Sequence, residues 1–162
     1  SVSGLLYGVE SGVGLAAPQI GKGIRLFIID TSAFDNEEFE SNSGFKTKSV
    51  KKTFINPEIM NESGDLKLFE EGCLSIPNIR ENINRKSEIK IKYQDENFNI
   101  HQDSFDGIVA RVIQHEYDHL EGVLFTDKIS PFKKKLIKGK LKNIMTGKVP
   151  VDYVMNFFKS QS

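Results

Sequence analysis

The chain has 162 residues, enough for one domain that buries roughly 70% of its unfolded surface and needs no covalent staple. Its 22 basic residues cancel its 22 acidic ones, which argues against a global attraction to DNA or to an anionic membrane, and its single cysteine excludes an internal disulfide and suits a reducing compartment. No basic leader with a long apolar stretch follows Ser1, and no apolar run approaches the length of a membrane span, so neither a secretory signal nor a membrane anchor is expected in the sequence as it stands.

In chain order, residues 1–11 carry too brief a periodicity to assign an element. Residues 12–19, Gly-Val-Gly-Leu-Ala-Ala-Pro-Gln, are small throughout and end on the amide of Gln19; they read as a turn that backbone or ligand can approach closely, and they contain no phosphate-loop pattern. Residues 23–30 read as a strand, and residues 31–52 as a polar loop whose acidic half (Asp35, Glu37, Glu38, Glu40) is followed by a basic half (Lys46, Lys48, Lys51, Lys52). That loop is expected to be a solvated insertion with a mixed-charge surface. Further strands are expected at 53–56, 65–70, 88–94 and 97–102, the last two forming an antiparallel hairpin. A helix then spans residues 108–122, and Ser130-Pro131 opens a second helix with apolar positions Ile137, Leu141 and Ile144, ending near Gly147. Strands first and helices later imply one α+β domain over residues 1–162, with antiparallel sheets packed around the first helix and the second helix near the C-terminus.

That first helix carries the chemistry. In Gln114-His-Glu-Tyr-Asp-His-Leu-Glu-Gly122, His115 and His119 leave one helix face a turn apart and can close on one metal ion, and Glu116 lies beside them. Ile108, Val112, His115 and His119 form one inward stripe; Val109, Ile113 and Glu116 form the next. A carboxylate on an inward stripe is costly without a partner or a metal, so Glu116 is expected to have a task, such as taking a proton from an attacking water. Gly122 should stop the helix.

A catalytic metal site usually has three protein ligands and one open position. The third ligand of the metzincin pattern would fall at Phe125, which excludes that class, and no glutamate follows Glu121 to complete the alternative peptidase set. Asp127, Asp152, His101 and Cys73 remain, with Asp127 and His101 expected to be exposed. Cys73 lies in Glu70-Glu-Gly-Cys-Leu-Ser-Ile-Pro77, between a strand and a proline-marked turn, where Gly72 permits close approach; a thiolate there would suit Zn or Fe(II).

Three stretches together, GVGLAAPQ at 12–19, EGCLS at 71–75 and QHEYDHLEG at 114–122, resemble the signature motifs of the peptide deformylase family, in that order. The resemblance implies that Cys73, His115 and His119 hold one divalent metal, Fe(II) in the cell with Zn, Ni or Co as substitutes. It implies that Glu116 is general base and then general acid, and that the Gln19 side chain and the Leu74 backbone N–H stabilise an oxyanion. The implied substrate is the N-formyl-methionyl end of a nascent polypeptide, with Gly14 and Gly72 bordering its cleft and Val13, Phe69, Ile108 and Val112 lining a methionine pocket. The implied location is the cytosol of a bacterial type of cell, or an organelle. Family members carry a few dozen residues ahead of the glycine motif where eleven precede Gly12 here, and Arg111 stands where an apolar residue would be expected, so it is expected to snorkel to the cleft rim. Two other readings of the residues are a zinc peptidase cutting internal bonds and a metal-stabilised interaction module without catalysis. The lysine-rich segment from Lys128 to Lys148, which has no acidic residue, is either a solvated helix or a surface that docks on ribosomal RNA, as the family resemblance implies.

Overall fold

The structure is a computed structural model describing residues 13–45 and 48–151. Among these residues one five-stranded antiparallel sheet runs in the order β1 (Gly14–Ala16), β2 (Leu26–Asp30), β3 (Lys51–Cys73), β4 (Ile76–Gln94) and β5 (Ile100–Asp106). Helices α1 (Glu37–Ser43), α2 (Gly107–Leu120) and α3 (Pro131–Met145) complete the fold, which is α+β as expected. Helix α2 lies against β1, β2, β4 and β5, so the sheet wraps the helix that carries the two histidines.

β3 and β4 form one long hairpin, closed by the two-residue turn Leu74–Ser75, with Cys73 paired to Ile76. The strands expected at 53–56 and 65–70 are therefore parts of a single strand, interrupted by register shifts at Ile55/Glu58, Ile59/Asn61 and Ser63/Leu66. At the second and third shifts the alternation breaks, which is why the sequence pattern divides there. Residues 76–87, not expected to be strand, extend the inward alternation of Ile89, Ile91 and Tyr93 through Arg85 and Ile83, where the charge of Arg85 interrupts the apolar pattern.

The second correction concerns residues 31–52. They are not a solvated insertion, because Phe34, Phe39 and Phe45 are buried in the main core. Phe34 packs on Phe39 with ring centroids 4.6 Å apart, and Phe45 meets Phe69 of β3 edge-on at 5.4 Å. Local signals for α1 are present, since the Asn36 side chain accepts a hydrogen bond from Phe39 N–H at 2.8 Å and Gly44 closes the helix in the left-handed conformation. Apolar residues spaced five and six apart match neither the helical nor the strand period, so the burial was invisible to pattern reading.

The later helices follow their caps. Gly122, at φ 70°, terminates α2, and the Ser130 hydroxyl accepts from Lys133 N–H at the start of α3 with Pro131 in its first turn. Ile137 and Ile144 of α3 are buried in a second cluster with Cys73, Ile76, Ile79, Ile83 and Phe125, and Leu141 packs against it. No helix of the described residues is long and apolar enough to cross a membrane. Since Phe39 is buried and truncation of such a ring costs about 3–5 kcal/mol, Phe39→Ala should lower the urea midpoint strongly; a shift within the range of a surface substitution would mean that the insertion is not part of the core.

Candidate active site

Three elements bring the site together. Helix α2 presents His115 and His119 on its buried face, and the tip of the β3–β4 hairpin delivers Cys73 to them. The ligand atoms of Cys73, His115 and His119 all lie within 4.8 Å of one another, with Cys73 Sγ 3.2 Å from His119 Nε2. A thiolate and two imidazoles are a donor set suited to a divalent transition metal, and all three are buried. His101 instead bonds Asp95 at 2.7 Å, and Asp127 bonds Lys134 Nζ and Leu124 N–H, so neither joins this cluster. Asp152 lies outside the described residues.

Glu116 stands beside the ligands, buried, with Oε2 lacking any hydrogen-bond partner. Burial lifts its carboxyl to about 7, against the pull of His115 and His119. Gly14 explains how the side chain fits: a Cβ at that position would lie 2.7 Å from Glu116 Cγ and Cδ. A side chain at position 14 would therefore displace the Glu116 carboxylate from its present place. By contrast, a Cβ at Gly72 would meet Arg80 and Ile79 at ordinary contact distance, so the close approach expected there is not required within the chain.

Gln19 closes the opposite side. Its Oε1 accepts from Ala16 N–H at 2.8 Å, which orients the amide so that Nε2 donates towards Ser75 Oγ at 3.3 Å and Cys73 Sγ at 3.5 Å. The NH₂ group thus faces the ligand cluster. Leu74 follows Cys73 in the hairpin turn and is half-buried.

The residue that sequence reasoning missed is Glu71. Its fully buried carboxylate accepts from Arg85 Nε at 2.7 Å and Nη2 at 2.9 Å, from Arg111 Nη1 at 2.6 Å, and from His115 Nδ1 at 3.0 Å. Burial alone would push this carboxyl up; the charge of Arg85 and the hydrogen bonds of His115 and Arg85 reverse that and hold it well below the usual range. Arg111 accordingly does not snorkel to a rim but is 2% exposed beneath the site. The available signal was Arg111, a cation on the inward side of the helix that required an inward anion.

Over residues 5–135 the sequence matches the family described as polypeptide deformylase. A peptide deformylase of Flavobacterium psychrophilum is 55% identical over 145 residues, 89% of this chain and 75% of the relative. One of Christiangramia forsetii is 52% identical over 147 residues, with 90% and 75% covered. The chain belongs to the peptide deformylase family. The fold agrees: a crystal structure of peptide deformylase from Plasmodium falciparum superposes with a TM-score of 0.70 at 34% identity, covering 84% of this chain and 73% of that one.

Of the residues expected in a deformylase methionine pocket, Val13, Ile108 and Val112 are buried in one core cluster, with half-buried Phe69 packed against it. Phe125, at the position excluded as a third histidine, is also buried, its ring 6.2 Å from that of His115.

The charges of the ligand cluster set a pH dependence. Burial raises the Cys73 thiol, but hydrogen bonds with His115 and His119 outweigh it and bring it to about 5. Burial likewise lowers His115, while its hydrogen bonds to Cys73 and Glu71 and the charge of Glu116 raise it to about 10. Contacts within the cluster thus favour a thiolate at Cys73 and a protonated His115, and an imidazole that ligates a metal must give up that proton. Metal uptake at pH 7 should release about one proton, and affinity should fall as pH is lowered. Calorimetric titration in buffers of different ionisation enthalpy measures this; no release would mean that His115 is already neutral.

Proposed function

We propose that this chain hydrolyses the formamide of N-formyl-methionyl nascent polypeptides, releasing formate and a free N-terminal methionine. The observation that carries the reading is a buried Glu116 with an unpartnered carboxylate oxygen beside the Cys73, His115 and His119 donor set. These three residues would hold one divalent ion, Fe(II) in the cell with Zn, Ni or Co as substitutes, which supplies Lewis acidity to the formyl oxygen and the attacking water.

In this reading Glu116 takes one proton from the water as its oxygen attacks the formyl carbon. The oxygen of the resulting tetrahedral species develops negative charge within reach of the Gln19 NH₂ group and the Leu74 backbone N–H. The C–N bond then breaks, and Glu116 delivers its proton to the departing nitrogen. A carboxyl lifted to about 7 is suited to both transfers at neutral pH. Val13, Gly14, Phe69, Gly72, Ile108 and Val112 would form the cleft and side-chain pocket. The peptidase and non-catalytic readings lose support, since the family match is to deformylases and the buried Glu116 has no structural partner for Oε2.

The test is formate release from a formyl-Met peptide by metal-reconstituted protein under anaerobic conditions; chain cleavage without deformylation would favour the peptidase. Glu116→Gln should retain the metal and lose about 10²- to 10⁴-fold in turnover, and near-normal turnover at full metal occupancy would remove Glu116 from the mechanism.

The finer partner reading concerns α3. Lys135, Lys138, Lys140 and Lys142 are exposed, while Ile137, Leu141 and Ile144 hold the helix to the domain. This arrangement supports a surface for ribosomal RNA, bound through phosphate contacts that weaken as salt rises. Changing these four lysines to glutamate should abolish salt-sensitive ribosome cosedimentation and spare hydrolysis of a short formylated peptide; unchanged cosedimentation would leave α3 as ordinary surface.

A further inference from the structure

We infer that Arg111 is a positioning residue of the metal centre, acting through Glu71 on the His115 ring. Arg111 precedes His115 by four residues on α2, so both side chains leave the same helix face and reach the same carboxylate. Glu71 Oε1 accepts from Arg85 Nε and Arg111 Nη1, while Oε2 accepts from Arg85 Nη2 and His115 Nδ1. A carboxylate has about four acceptor sites, and here they are filled. With Nδ1 committed to Oε2, Nε2 of His115 is the nitrogen left for an ion, and the ring plane is set by where that oxygen sits.

The two arginines hold the carboxylate differently. Beyond Glu71, Arg85 bonds the Asp118 side chain at 2.7 Å, and Asp118 is shared with Lys128 at 3.1 Å. Arg111 bonds backbone: Nη1 donates to Ile83 O at 3.1 Å, and Nη2 donates to Lys67 O. It thereby ties Glu71 to the main chain of both β4 and β3. The guanidinium also lies 5.5 Å from the Phe69 ring and 6.0 Å from that of Phe45, so the buried insertion packs on the same group. Without Arg111, Oε1 loses one donor and the Glu71–Arg85 pair loses its tie to the main chain of β3 and β4, so the pair can shift together, which moves Oε2 against Nδ1. The consequence is a looser His115 ring and weaker metal binding.

Arg111→Met keeps most of the buried stem and removes every donor. Zn(II) affinity is measured by competition with a chromophoric chelator well below the melting temperature, and the Co(II) form is examined for its thiolate charge-transfer band. The variant should bind Zn(II) about tenfold more weakly and shift the Co(II) band. In a Glu71→Gln background the same substitution should cost nothing further, because the route through the carboxylate is already altered. A lowered melting temperature with unchanged Zn(II) affinity and Co(II) band would make Arg111 merely structural and overturn the inference, as would losses that add in the double variant. If Arg111→Met does not fold, Arg111→Lys serves instead: one ammonium cannot reach Glu71, Ile83 O and Lys67 O together, so unchanged affinity there overturns the inference too. The inference rests on the metal-site reading, and failure of the parent protein to bind Zn(II) would overturn both, whereas unchanged affinity in the variants overturns this one alone.

Discussion

The site depends on neutralising one buried carboxylate. Glu71 has no access to solvent, and a charge in that position is tolerable only because two guanidinium groups and an imidazole N–H surround it. Removing one partner from such a cluster typically costs about 3–5 kcal/mol, since the remaining charges stay buried. The cluster joins α2 to the long hairpin. Arg85 comes from β4, Glu71 from β3, and Arg111 and His115 from the helix, so the ion pairs fix the distance between the elements that carry the candidate ligand atoms.

Around that anchor each donor is held by a different physical means. His115 and His119 need only helical spacing, whereas Cys73 needs the hairpin to end within reach of them. The register shift between Gly72 and Cys73, with the two-residue turn that follows, is what ends it there. Gln19 is oriented by a bond to Ala16 N–H in its own turn, which settles which end of the amide faces the thiolate. Glu116 is different in kind. It is buried, carries an unpartnered oxygen and occupies space that a side chain at Gly14 would take, an arrangement that stability alone would disfavour and that the proposed proton transfer would use.

The insertion between β2 and β3 shows how a polar sequence can hide core. Residues 31–52 are dominated by Ser, Asn, Glu and Lys, yet three phenylalanines fold inward, Phe39 and Phe45 meet Phe69, and Phe45 lies over Arg111. Their burial depends on β3 supplying the opposite wall, a contact between residues distant in sequence. Arg111 was misplaced for the same reason. A lone cation on an otherwise apolar stripe looks as though it should reach for water until Glu71 and two backbone carbonyls are seen waiting for it.

The sequence by itself determined the α+β class, the helix of His115, Glu116 and His119, its glycine stop, the proline-started second helix, and a short set of candidate third ligands from which only the family resemblance singled out Cys73. These are legible because helical spacing, cap chemistry and ligand type are local properties of a few neighbouring residues. Only the tertiary structure decided that β3 and β4 form one hairpin, that the polar insertion is core, and that Glu71 stands behind His115. Each of those outcomes is a pairing between segments far apart in the chain, and its energy comes from a partner that the local pattern does not contain.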